Sequence, residues 1–435
     1  MTVTRLDVDD RATLVRRLAD ARRRTDAMFD VLQPDALYER PIPERHRLIF
    51  YLGHVEAFDT NLIARRTFQR AAFHERFDRL FAFGIDPVDG GLPNEPKSEW
   101  PSDQDVRDYD RRSRDEVDAL LAGGDAPPEL ATVCEVAIEH RLMHAETLAY
   151  LFHQLPHALK RAPAADPPAA GAPPARAAID IPAGRATLGL ARGAGFGWDN
   201  EFDAHAVDVP AFRVDAHKVT NGEWLGFVNA GGYRERRLWS DADWTWRESV
   251  ALEHPAFWGG RAGAWTSHGM FADAPLQLDR PVFVSHAEAS AYARWSGGRL
   301  PTEAEFHRYA YGAPDGGERA YPWGDAPPSP ERGNFDFARW DPTPVGAFPA
   351  GRSAFGLDDT LGNGWEWTAS VWAPFAGFER FPFYPGYSAD FFDGKHFAMK
   401  GGSMRTAACM LRRSFRNWFQ PHYGYVYAAF RLVRP

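Results

Sequence analysis

The sequence predicts a multidomain chain: an N-terminal all-α four-helix bundle over residues 1–160, a linker over 161–178, and an irregular α+β domain over 179–435. Three observations carry this reading. Apolar residues recur at three- and four-residue spacings through the first part, as on the buried faces of helices. Residues 161–178, RAPAADPPAAGAPPARAA, hold nine Ala and five Pro among eighteen positions, too little apolar bulk for a core, and read as a semi-rigid extended segment. From Ile179 onward, short strand-like runs (AIDIPAG, FRLV) alternate with turns such as GAPDGG and YPWGDAPP. Aromatic residues are 14% of the chain and accumulate there with Gly and Pro, which suits a loop-rich domain held by aromatic packing.

Taken in order, the first helix carries Leu14, Leu18, Ala21, Met28 and Leu32 until Pro34 stops the pattern. A second spans Arg45 to about Phe73. A third, highly charged, spans about Gln104 to Leu121. The fourth runs from Pro128 to about Gln154 with Val133, Ala137, Leu148 and Leu151 on one face. In the C-terminal part only Ser285–Trp295 and Thr302–Tyr311 read clearly as helices, the latter with Thr302 as cap and Glu305 three residues on.

Composition narrows the function. Fifty Lys+Arg against 59 Asp+Glu leave a net charge of −9, which argues against nucleic acid as a partner. No run approaches ~18 apolar residues, so no membrane span is expected. The first twenty residues lack an apolar signal-peptide core, and the expected location is cytoplasmic. Two cysteines, Cys134 and Cys409, cannot make a disulfide framework.

The chemistry-bearing residues are histidines. His140 and His144, in EHRLMHAET, are four apart and stack on one helical face, the one that carries the apolar residues of the fourth helix. His54, in FYLGHVEAFDTN, sits mid-way along the second helix and is placed to aim at the same interior. Three neutral imidazoles inside a bundle make a metal site with open coordination positions. Arg141 stands where a zinc protease would have its Glu, so that chemistry lacks its base. His153 and His157 share the spacing, but Pro156 falls between them, and they read as surface residues. Donor type alone leaves Zn(II), Fe(II) and Cu(II) open.

DNEFDAHAVDVPAFRVDAHKVTNGEWLGFV (199–228), GGRLPTEAEFHRYAYG (297–312), YPWGD (321–325), LGNGWEWTAS (361–370) and KGGSMRTAACMLRRSFRNWF (400–419) through AAFRLVR run in order. The C-terminal part thereby resembles the formylglycine-generating-enzyme/sulfatase-modifying-factor family, which has a C-type-lectin-like fold. Preceded by a DinB-like bundle, the pair resembles the sulfoxide synthases of ergothioneine and ovothiol biosynthesis. The resemblance implies an iron-dependent oxidoreductase: a non-haem Fe(II) held by His54, His140 and His144, the C-terminal domain closing the site, and O2 as co-substrate. The small-molecule substrates implied are hercynine (or histidine) and a thiol or selenol donor. It implies substrate contacts at Asn417 and Trp418, the latter by cation–π contact with a trimethylammonium group. It implies a proton-donating tyrosine at Tyr384, with Tyr387 as competitor. Metal-bound imidazoles usually donate their other N–H to an acceptor, which makes Glu56, Asp59, Glu139 and Glu146 candidate partners.

Three departures bear on the donor. Phe419 and Tyr423 stand where many ergothioneine-type members carry an Asp or Tyr and an Arg. The segment around Gly90–Gly91 lacks the expected Arg, and Arg141, Leu142 and Met143 replace Glu-Gln-Gln. Losing a bidentate carboxylate clamp disfavours an acidic dipeptide. Aromatic Phe419, Tyr423 and Tyr425 suit a sugar ring, so the preferred subtype is a selenoneine synthase that joins selenium from a selenosugar to hercynine. An ergothioneine-type enzyme using cysteine or another thiol, or an ovothiol-type enzyme on histidine, is the alternative. From other classes, a formylglycine-generating oxidase would need a cysteine pair where only Cys409, expected to be buried, is present. A non-catalytic binding module would not need three histidines together.

Overall fold

The computed structural model describes residues 8–82, 96–123, 127–162 and 171–435. Contacts divide the chain into two compact units, Met1–Ala165 and Asp166–Pro435. The Gly90–Gly91 segment and residues 163–170 of the expected linker lie outside the described residues.

The first unit is helical: α1 (Val8–Asp30), α2 (Leu48–Asp59), α3 (Glu75–Leu80), α4 (Asp103–Ala122) and α5 (Leu130–His153). Within it, α1 packs on α5, and α2 packs on both α4 and α5. In α1, Leu14, Leu18, Ala21, Met28 and Leu32 just past its end are all buried, as their spacing requires. Helix α2, LIFYLGHVEAFD, is apolar on every side and buries every residue but Phe58. It continues without a break into a π-helical stretch, Thr60–Thr67, so the second expected helix ends short of Phe73 and changes its winding on the way. Helix α4 starts where the Ser102 hydroxyl accepts from the Asp105 amide at 3.1 Å. It buries only one face, with Val106, Tyr109, Val117 and Leu121 inside.

The second unit is α+β with much irregular chain. Strands β1 (Ala178–Ile181), β4 (Phe212–Asp215) and β12 (Val433–Arg434) form one sheet in the order β1-β4-β12; β2 (Gly184–Leu188) and β3 (His205–Val209) pair separately. Strands β5 (Trp258–Arg261), β6 (Ala264–His268) and β7 (Asp273–Pro275) make a meander. The central sheet runs β10-β9-β8-β11, from β8 (Trp365–Val371), β9 (Phe397–Lys400), β10 (Asn417–Phe419) and β11 (Ala428–Ala429). Helices α6 (Asn221–Asn229), α7 (Asp241–Ser249), α8 (His286–Trp295) and α9 (Glu303–Tyr311) complete it. The expected helices are α8 and α9. Helices α6 and α7 were not expected: each is nine residues, and neither carries a long apolar stripe. Reciprocal caps start three of the four, Thr220 with Glu223, Ser285 with Glu288 and Thr302 with Glu305.

The interior of this unit is built around ions as well as rings. Glu366 accepts from Arg431 at 2.7 Å and from the Tyr309 hydroxyl at 2.8 Å, and all three are fully buried. The Lys218 ammonium donates to the carbonyls of Asp359 and Gly362 and lies 3.4 Å from Glu366. Among the described residues no helix is long and apolar enough to cross a membrane.

Candidate functional site

Because α2 and α5 pack against each other, their histidines meet. His54 Nε2 lies 3.1 Å from His144 Nε2, which lies 3.1 Å from His140 Nε2. One donor atom from each of the three falls within 4.8 Å of the others, and all three side chains are buried. His54 Nδ1 is 2.6 Å from the Phe81 carbonyl. A carbonyl only accepts, so Nδ1 carries the proton and Nε2 turns its lone pair to the other two rings. That carbonyl comes from the turn just after α3, which sets the ring's orientation. The acceptor for His54 is thus a backbone carbonyl, and of the four candidate carboxylates Glu56 and Asp59 bind Arg141 instead.

The pocket keeps these rings uncharged. Burial, with small repulsions from His46 and Arg141 and against the pull of the Phe81 carbonyl, lowers His54 to about 4. Burial and the neighbouring imidazoles hold His140 well below its ordinary value, and burial with His54 does the same for His144. Phe58 stacks on His140 with centroids 3.4 Å apart, and Phe50 stacks on His54 at 4.9 Å. Imidazole nitrogens about 2.1 Å from one metal and about 90° apart sit roughly 3 Å from each other. The two spacings of 3.1 Å fit that geometry. The three residues therefore fit a metal, presenting three neutral nitrogens on one side.

Behind the rings lies a buried ionic cluster that sequence reasoning did not foresee. Arg141, with no exposure, donates from Nη1 to Glu56 Oε1 at 2.7 Å and from Nη2 to Glu56 Oε2 at 2.9 Å, Asp59 Oδ2 at 2.6 Å and the Val55 carbonyl at 3.0 Å. Arg114 of α4 reaches Glu56 Oε1 at 2.6 Å and Asp26 of α1 at 2.7 Å. Burial alone would raise the Glu56 carboxyl, but Arg141 and Arg114 outweigh it and hold it at about 2. The signal was present: one arginine on an apolar helix and two acids on another implied a buried pair.

In the second unit the expected substrate residues fall into two clusters. Successive side chains of β10 point to opposite faces. Trp418 stacks on Trp372 at 4.2 Å, meets Tyr387 edge-on at 5.4 Å and faces Phe391 at 5.6 Å. Tyr387 in turn stacks on Trp198 at 3.9 Å, whereas Tyr384 is 6.4 Å from Trp198 and 5.5 Å from Tyr387. Phe419 stacks on Tyr423 at 5.2 Å, nearly parallel, and Tyr425 meets Tyr423 edge-on. Asn417 is half-buried on β10, and its side-chain oxygen accepts from the Trp418 amide at 2.8 Å. Beneath them, Arg416 grips Glu303 at 2.8 Å and lies over the Trp372 and Phe375 rings. Trp198 and Trp372 were not among the expected residues.

Two further expectations are corrected. His153 is buried, because α5 runs on through it and Leu155 beyond it is also inside. Cys409 is exposed on a short turn and Cys134 is the buried thiol.

Fold and site together define a class of protein: a helical bundle with an interior three-histidine cluster, joined to an α+β domain rich in buried ion pairs and aromatic stacks. The Sulfatase-modifying factor enzyme 1-like domain matches residues 163–435 and the DinB superfamily matches residues 17–177, as the sequence resemblance implied. The chain belongs to the sulfatase-modifying factor enzyme 1-like family and carries a DinB-type region before that domain. It is 46% identical over 241 residues to the hercynine oxygenase of Mycolicibacterium thermoresistibile, covering 54% of this chain and 53% of that protein. It is 30% identical to ergothioneine biosynthesis protein 1 of Neurospora crassa over 93% of this chain and 55% of that protein. The formylglycine-generating enzyme of Mycobacterium tuberculosis is 30% identical over 45% of this chain and 74% of its own length. The chain spans about half the length of the first two of these relatives.

Proposed function

We propose that this protein is an oxidoreductase that uses non-haem Fe(II) and O2 to form a carbon–chalcogen bond on the imidazole of hercynine. The observation that carries the reading is the convergence of three uncharged histidine nitrogens in a chain related to a hercynine oxygenase. His54, His140 and His144 are the ligands. Iron bound there supplies open positions for a thiolate or selenolate and for O2. The chain's own residues do the rest. The Phe81 carbonyl holds the His54 proton on Nδ1, and burial keeps the three rings unprotonated at neutral pH. Phe58 and Phe50 cover the ligand rings and exclude water from that side. Trp418 offers its face to a trimethylammonium group, Asn417 a polar contact, and the Tyr384 hydroxyl a proton.

The preferred donor is a selenosugar. The parallel Phe419–Tyr423 stack is a neutral platform suited to a sugar ring and offers no charge to a carboxylate. The names of the relatives favour a second reading, an ergothioneine-type sulfoxide synthase taking cysteine or another thiol. The deciding experiment is O2 uptake by anaerobically Fe(II)-loaded protein given hercynine with a selenosugar, cysteine or γ-glutamylcysteine in turn, with mass spectrometry of the product. A selenium adduct on hercynine establishes the preferred reading, and a sulfoxide adduct moves it to the second. No uptake with any donor, despite iron held by the three histidines, rejects hercynine as acceptor.

A further inference from the structure

We infer that Arg141 is the positioning residue of the three-histidine centre, acting through its clamp on the chain just after His54; this rests on the metal reading proposed above. The three nitrogens come from two separate helices, and apolar packing by itself allows small rotations and slides between helices. A shift of about 1 Å in α2 against α5 would open the 3.1 Å approach of His54 to His144.

Arg141 directly follows His140 on α5, and its contacts on α2 are Val55, Glu56 and Asp59, the first two of which directly follow His54. The guanidinium is planar and rigid, and four of its hydrogen bonds close on a single stretch of α2. It also touches the Thr25 hydroxyl of α1 at 3.3 Å, and Arg114 ties the same Glu56 to α4. Glu56 and the two arginines that hold it therefore tie together all four long helices of the bundle, α1 being reached through Thr25 and Asp26. A buried ion pair contributes little net stability compared with well-packed apolar residues of similar volume. What it supplies here is register, and register is what a metal site drawn from two helices needs.

The test uses the full-length metal-free protein and Co(II), whose visible absorption reports its coordination. Two variants are compared with wild type: Arg141→Lys, which keeps the charge but not the fork, and Arg141→Met/Glu56→Gln/Asp59→Asn, which also removes the charges left behind. Both should keep the helical circular dichroism of wild type, bind Co(II) ten- to a hundredfold more weakly, and give a shifted visible spectrum. Unchanged affinity and spectrum in a folded variant overturn the inference. So does loss of folding in both variants, which would make Arg141 simply structural. If wild type shows no Co(II) spectrum that depends on His54, the three-histidine metal reading itself falls, an outcome distinct from the other two.

Discussion

His54 and His144, ninety positions apart, bring their Nε2 atoms to 3.1 Å inside the bundle. With the His54 proton held on Nδ1 by Phe81, the His54 lone pair points at its neighbour. Such a contact is at rest only with a cation or a shared proton between the rings. His54→Ala and His144→Ala should each remove iron, by more than the roughly 10–100-fold in affinity that outer partners of a metal site contribute. Metal analysis after dialysis checks this; iron retained at one per chain in either variant refutes the ligand assignment.

Acid should destabilise the metal-free bundle. His54 is held at about 4 in the folded protein against 6.5 when unfolded, so between those values the unfolded chain binds more protons. The stability this neutral ring allows is present above pH 6.5 and is lost as pH falls toward 4. For His54 alone the loss is roughly 2 kcal/mol by pH 5. Urea unfolding followed by far-UV circular dichroism at pH 7 and 5 measures it, and His54→Leu should lessen the dependence, with His140 and His144 supplying what remains.

The two tyrosines can be separated. Tyr387 is stacked between Trp198 and the edge of Trp418, so Tyr387→Phe should change hercynine KM by no more than a few-fold, its ring being kept. Tyr384→Phe should lower kcat by about 10²–10⁴ if its hydroxyl is the proton donor, with KM nearly unchanged. Steady-state O2 uptake gives both constants. A kcat loss confined to Tyr387→Phe transfers the role to that residue.

Thiol labelling should find one reactive cysteine in the native state and two after denaturation. Cys409 is exposed, whereas burial pushes the Cys134 thiol up to about 12. Turnover should survive complete labelling of Cys409, measured with maleimide under native conditions. Its loss would revive a cysteine-based mechanism.

Helix α2, buried almost all round, was legible only as an apolar run, whereas apolar spacing located the first and fourth of the long helices. The histidine pair was legible for the same reason, and His54 from its place on an apolar helix. What could not be read were partners fixed by packing between elements. Phe81 offers only its carbonyl, a group every residue has, and charges on two apolar helices signal a buried pair without saying that Arg141 meets both Glu56 and Asp59, more than eighty positions away. The alternation of β10, which sends Trp418 and Phe419 into different clusters, depends on a strand of three residues flanked by irregular chain. Cys409 was misjudged because its apolar neighbours in TAACML bury themselves and leave its own side chain outside.

The pairing of β4 with both β1 and β12 bears on how the chain is made. Val214 stands in register with Ile179 on one side and with Val433 on the other. During synthesis the first strands of the second unit must wait, with one edge open, until more than two hundred further residues have left the ribosome. The bundle waits for less, since Arg17 of α1 meets Glu135 of α5 118 residues on. Nascent chains stalled before Val433 should therefore carry a folded bundle and an unfinished second unit, the state in which chaperone capture and aggregation compete.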